Sequence, residues 1–196
     1  MRELAHLLGD LPVELLSLAE VAGASLPPET GTTYAENALI KARAAHASTG
    51  GAAIADDSGI EAAALGGRPG VRSARYGGPG ASDADNLAKL LREMDDAVDR
   101  SVAYVAVIAY VDEGGDEMVF EGRCEGELAR EPRGSGGFGY DPAFIPRDTG
   151  ERDGRTMAEL SAAEKHAISH RGRAARLLAS HLGLPAAAPP TPGVKP

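Results

Sequence analysis

The sequence has one cysteine, Cys124, so no internal disulfide can form and a structural zinc site has no thiolate partner; a reducing compartment fits. It has no tryptophan, and aromatic residues make up 4% of the chain. With 25 glycines and 13 prolines, that balance looks like a GC-rich coding bias and carries no functional information. Basic residues are outnumbered, 20 Lys and Arg against 29 Asp and Glu, for a net charge of −9. This excludes a protein that coats duplex nucleic acid, which needs a basic stripe to neutralise phosphates. A local cluster of cations can still hold a small anion. No charged start leads into an apolar core of signal length, and no apolar run is long enough to span a membrane, so a cytoplasmic protein is expected. What is present is 43% hydrophobic residue in 196 positions, enough to bury a core as one domain or two small lobes.

The chain is organised around Ala52 to Gly59, Ala-Ala-Ile-Ala-Asp-Asp-Ser-Gly. A short apolar run ending in carboxylates reads as a buried strand that delivers side chains to the end of a sheet, where open α/β folds place ligands. On extended backbone Asp56 and Asp57 point to opposite faces, so one of them is expected to face a site. An aspartate there can hold Mg²⁺, which prefers oxygen ligands. Asp-Ser-Gly is also ordinary turn chemistry, and these residues alone favour a turn after Ala55.

In chain order, Leu4, Leu7, Leu8 and Leu11 have helical spacing, ended by Pro12. A polar connection over 14–29 follows. Thr33 and Glu36 have capping-box spacing at the head of a helix whose apolar stripe is Ala35, Ala38, Leu39, Ala42 and Ala45, up to Gly50. Another face of that helix carries Asn37 and Lys41, placed to meet phosphate or water. A loop with glycines and the Arg72 to Tyr76 cluster precedes a second helix, capped by Ser82 with Asp85 and faced by Leu87, Leu90, Leu91 and Met94. Ser101 to Val111 and Met118 to Cys124 read as an antiparallel hairpin, which makes the sheet mixed rather than purely parallel. Residues 1–184 are read as one domain and 185–196 as a disordered tail.

Gly134, Gly136 and Gly139 fit the dinucleotide-binding spacing, but Tyr140-Asp141-Pro142 follows where a helix would have to open. A nicotinamide-dependent oxidoreductase therefore rests on the spacing alone. The loop better suits an aromatic platform, Phe138, beside Tyr140 and Asp141, unless Phe138 is core. Ser161 to Leu182 reads as one long helix capped by Ser161 and Glu164. Its early part presents Lys165, Ser169, His170 and Arg171, donors suited to carbonyl or phosphate oxygens. His166 and His170 have metal-site spacing, but no Glu follows His166 as a metalloprotease needs.

Taken in order, Thr33-Tyr-Ala-Glu-Asn-Ala38 with Lys41, Ala55-Asp-Asp-Ser-Gly59, Pro69-Gly-Val-Arg-Ser-Ala-Arg75-Tyr76, Gly136-Gly-Phe-Gly-Tyr-Asp-Pro142, Ala158-Glu-Leu and Glu164-Lys-x-x-x-Ser-His-Arg171 resemble the inosine triphosphate pyrophosphatase family, the XTP/dITP diphosphatases. The resemblance runs from Glu3 to about Leu182. It implies an α/β fold, an elongated mixed sheet flanked by helices in two lobes with a central cleft, and a homodimer. It implies Mg²⁺-dependent cleavage of ITP, dITP or XTP to the monophosphate and pyrophosphate, which cleanses the nucleotide pool. Asp57 would be general base and metal ligand, Glu29 a second metal carboxylate, and Ser58 a substrate contact. Phe138 would stack on the purine, with Gly139, Tyr140 and Asp141 lining its pocket and Lys165, Ser169, His170 and Arg171 toward the nucleotide. Donation from His170 and Arg171 would read the 6-oxo group and reject adenine, which offers an amino group there. Family members begin with a strand and a Ser/Thr-Gly-Asn-x-x-Lys loop, and the resemblance here starts after that element, so the chain is expected to be N-terminally truncated relative to the family. The competing class is a catalytically impaired nucleotide-binding member of the same fold.

Overall fold

The computed structural model describes residues 15–21, 23–150 and 153–184. The helix expected over Leu4 to Leu11 and the tail expected from 185 lie outside the described residues. Helix α1, Tyr34–Thr49, starts at the Thr33/Glu36 capping box and stops at Gly50, whose φ of 70° is the left-handed geometry glycine takes at no steric cost. Helix α2, Asp83–Glu93, starts at the Ser82/Asp85 box and buries Leu87 and Leu90. Strands β1 (Ala53–Ala62), β2 (Ser101–Val111), β3 (Glu117–Leu128) and β4 (Phe144–Pro146) form one sheet in the order β1-β2-β3-β4. Strands β2 and β3 are the expected hairpin, closed where Asp112 N–H donates to Asp116 O at 3.0 Å. Strand β4 pairs antiparallel to β3, Leu128 opposite Phe144. The fold is thus α/β, a sheet flanked by helices. No helix among the described residues is long and apolar enough to cross a membrane.

Two local expectations change. The turn after Ala55 does not form: β1 runs on through Asp56, Asp57, Ser58 and Gly59 to Ala62, because pairing in the sheet outweighs the turn tendency of Asp-Ser-Gly. The single helix from Ser161 is two, α3 (Ala162–Ile168) and α4 (His170–His181), parted at Ser169, whose ψ of 142° is extended. No Gly or Pro marks the break. It coincides with the burial of Ser169 and His170, so tertiary packing overrides the local helical pattern.

The chain divides into two compact units. One comprises residues up to Asp57, Ala106–Gly122 and the segment from Arg171; the other comprises Ser58–Val105 and Arg123–His170. The first unit's core gathers Ile108 with Ala174, Ala175, Leu178 and Ala179 of α4. The second unit's core is larger in side-chain volume, with Ile60, Leu90, Met94, Leu128, Phe144 and Met157 fully buried. Apolar burial of this kind contributes about 25 cal/mol per Å² removed from water.

Candidate active site

In the first unit, the alternation of β1 separates the two aspartates as expected. Asp57 is buried and its Oδ2 accepts from Asn37 Nδ2 at 3.1 Å, while Asp56 Oδ2 accepts from Arg171 Nε at 3.0 Å. Asn37 is completely buried, and its Oδ1 accepts from Gly31 N–H at 2.8 Å, so one amide pins both the segment carrying Glu29 and the strand carrying Asp57. That segment packs closely enough that a Cβ on Gly31 would lie 2.7 Å from Asn37 Oδ1. Lys41, one helical turn along, sits 2.8 Å from Glu29 Oε1 and 3.6 Å from Asp57 Oδ1. Asn37 and Lys41 thus engage carboxylates, where the sequence left them to phosphate or water. Glu36 is a cap: Thr32 and Thr33 N–H both donate to its Oε2, and these backbone bonds hold its carboxyl below the ordinary value.

The result is two carboxylates, Glu29 and Asp57, sharing Lys41, while Asp56 pairs separately with Arg171. Among the described residues no group of three or more His, Cys, Asp and Glu side chains is arranged to hold a metal ion. Glu29 and Asp57 nevertheless converge on a single ammonium, and Mg²⁺ typically takes one or two carboxylates and completes its shell with water and phosphate oxygens. The residues present fit such an ion.

In the second unit, the glycine run from 134 to 139 opens no α-helix; a short 3₁₀ turn, Asp141–Ala143, follows it. Its glycines serve close packing. Gly136 N–H donates to Ala158 O at 3.0 Å, and at Gly137, with φ of 74°, a Cβ would stand 2.1 Å from Asp141 Oδ2. The loop displays Phe138 with 54% of its surface exposed, so the ring is not core. Asp141, 2% exposed, accepts from Phe138 N–H at 2.9 Å, from Lys165 Nζ at 2.6 Å and from Tyr104 Oη at 3.1 Å. Lys165 Nζ also lies 4.4 Å from the centre of the Phe138 ring. Gly139 N–H donates to Asp83 Oδ2 at 2.8 Å, fixing the loop to the first turn of α2. Tyr140 is buried and donates to Ser73 O at 2.8 Å. Burial, with Tyr76 and Asp83 nearby, pushes its phenol well above the ordinary range, so it remains a donor. Ser73 in turn takes Ile60 N–H at 2.9 Å, which ties the Arg72 to Tyr76 segment to β1.

Of the residues singled out in the sequence, Glu29, Asp56, Asp57 and Arg171 belong to the first unit, Glu29 and Asp57 meeting at Lys41 and Asp56 pairing with Arg171. Phe138, Gly139, Tyr140, Asp141, Lys165 and His170 belong to the second, where His170 stacks on Tyr104 at 4.8 Å with 12° between the rings. Ser58 is half-buried on β1 beside Asp57, and Ser169 is fully buried at the break between α3 and α4. Sequence reasoning missed Tyr104, Asp83 and Ser73, and understated Asn37. Tyr104 lies in a strand of apolar residues and reads as core; its only signal is a hydroxyl where the neighbouring positions have none.

Such a molecule, an α/β fold with a lysine-bridged carboxylate cluster and a separate aromatic platform backed by donors, has the parts of a phosphate-handling nucleotide enzyme. The chain belongs to the Ham1 family, whose model matches residues 1–181. It is 51% identical over 180 residues to the dITP/XTP pyrophosphatase of Mycolicibacterium paratuberculosis, covering 91% of this chain and 86% of that one. It is 54% identical over 166 residues to the dITP/XTP pyrophosphatase of Mycobacterium bovis, covering 84% and 79%. Among solved structures it resembles a HAM1 protein from Coxiella burnetii, with a TM-score of 0.85 and 44% identity over 93% of this chain and 92% of that one.

Proposed function

We propose that this protein is a hydrolase that cleaves the non-canonical purine nucleoside triphosphates dITP, ITP and XTP between the α and β phosphates, releasing the nucleoside monophosphate and pyrophosphate. The observation that carries this reading is Asp57, a buried strand carboxylate fixed by Asn37 and sharing Lys41 with Glu29. The similarity to the dITP/XTP pyrophosphatases of Mycolicibacterium paratuberculosis and Mycobacterium bovis supports it.

Asp57 accepts the proton of the attacking water as the water oxygen bonds to phosphorus and the bridging phosphorus–oxygen bond breaks, with pyrophosphate leaving. Asn37 holds the Asp57 carboxylate in one orientation for that transfer. Glu29 and Asp57 are the residues that would hold Mg²⁺, and the bound ion supplies charge neutralisation on the phosphate oxygens. Phe138 stacks on the purine, Tyr140 and Asp141 keep its loop in place, and Ser58, Gly139, Lys165 and Ser169 line the nucleotide's path. His170 and Arg171 donate to the 6-oxo group, and adenine's amino group leaves those donors unpaired. The reading includes a homodimer acting in the cytoplasm on the nucleotide pool.

The test is pyrophosphate release from ITP and from ATP, with Mg²⁺ and with EDTA. Selective, Mg²⁺-dependent release from ITP is expected. Binding of ITP with no release under any divalent ion would replace the hydrolase by a nucleotide-binding member of the fold.

A further inference from the structure

We infer that Tyr104 is a positioning residue for base recognition, a side chain on β2 whose hydroxyl sets Asp141 and whose ring sets His170. The inference rests on the functional reading above and deepens it, because it says what holds the recognition residues in place.

Asp141 has two oxygens and three donors. Oδ2 takes Phe138 N–H at 2.9 Å and Lys165 Nζ at 2.6 Å, while Oδ1 takes the Tyr104 hydroxyl at 3.1 Å. The hydroxyl therefore fixes the rotation of the carboxylate about its last bond, and that rotation decides whether Oδ2 reaches both the platform loop and Lys165. Tyr104 is itself immobile. It is buried, and its ring is stacked between Phe144, with centroids 4.3 Å apart, and His170, 4.8 Å away and within 12° of parallel. The near-parallel stack sets the plane in which the imidazole presents its nitrogens. Burial beside Asp141 raises the phenol well above its ordinary range, so the hydroxyl remains a donor wherever the protein is folded. One tyrosine thus joins a carboxylate under the base platform to the imidazole that reads the base edge. A phenylalanine would fill the same space and supply only half of this.

The experiment compares the full chain with Tyr104→Phe and Tyr104→Leu, by steady-state kinetics on ITP and ATP, thermal unfolding, and NMR of the Phe138 amide and the His170 imidazole. Tyr104→Phe is expected to raise KM for ITP about tenfold or more, the loss of a hydrogen bond to a charged group, with kcat within about twofold. Its Phe138 amide resonance moves and its His170 imidazole resonance does not. Tyr104→Leu is expected to move the imidazole resonance as well and to lower the ITP-over-ATP ratio of kcat/KM. An unchanged KM and an unmoved Phe138 amide in Tyr104→Phe would overturn the inference, as would a lowered melting temperature with KM and both resonances unmoved. If the unsubstituted chain does not turn over ITP, the functional reading fails by itself. The two resonances then still decide whether Tyr104 sets Asp141 and His170.

Discussion

The two units hold their polar groups by opposite means. In the first, three carboxylates share two cations, Lys41 lying between Glu29 and the buried Asp57, and the pair of Arg171 with Asp56 remains partly open to water, its side chains 20% and 19% exposed. In the second, a single carboxylate, Asp141, is enclosed and surrounded by donors from three separate stretches of chain. A surplus of acceptors near water can be reorganised around an incoming cation at little cost. A buried carboxylate with both oxygens engaged cannot, and serves to keep other groups still. On the proposed reading, chemistry and recognition are divided between a region built to exchange partners and a region built to keep them.

The largest effect expected is on turnover. On the proposed mechanism Asp57→Asn removes the proton acceptor, and pyrophosphate release from ITP is expected to fall by about 10²–10⁴-fold with circular dichroism unchanged. A variant retaining full rate would leave the first unit without its chemical role. The contrast between the units is tested next by a matched pair. Asp141→Asn leaves Lys165 without its buried counter-charge and costs about 3 kcal/mol in urea unfolding, whereas Asp56→Asn costs less than about 1 kcal/mol because its pair with Arg171 is partly solvated. Equal costs would erase the distinction. Phe138→Ala raises KM for ITP roughly tenfold or more, from a stacking contribution of about 1–3 kcal/mol per base, without lowering the melting temperature, since the ring is half in water.

The smallest effect concerns acid. The Glu164 carboxyl is lowered to about 2 by hydrogen bonds from Arg155, first, and from Ser161. A carboxyl lowered on folding stabilises the folded state above its unfolded value near 4.5, and that stabilisation is lost as pH falls from about 4.5 toward 2. The difference in urea midpoint between the protein and Glu164→Gln should therefore shrink over that interval and be flat above it.

Local signals carried much of this. The capping boxes at Thr33, Ser82 and Ser161 lie three residues from their partners, so the sequence displays them directly, and each starts a helix. The hairpin from Ser101 was legible from its β-branched and aromatic content. The rejection of a dinucleotide fold at Gly134 to Gly139 followed from Pro142, and no α-helix opens there. What stayed hidden depends on partners distant in sequence. Asp-Ser-Gly turns in isolation but is held extended by sheet pairing, and the break at Ser169 reflects burial of its neighbours rather than a breaker residue. Tyr104 and Asp141 are 37 positions apart, Asn37 and Asp57 20, and neither separation leaves a periodic trace.

The extended course of β1 gives the protein a parity. Because successive side chains alternate, Asp57 meets Asn37 and Lys41 only while an odd step separates it from Asp56, which meets Arg171. Deleting or inserting one residue inside the strand would exchange the two aspartates, handing the guanidinium the carboxylate that the proposed mechanism uses while leaving composition, charge and hydropathy almost untouched. The strand is in that sense a ruler read modulo two, and its count matters apart from the identity of its residues.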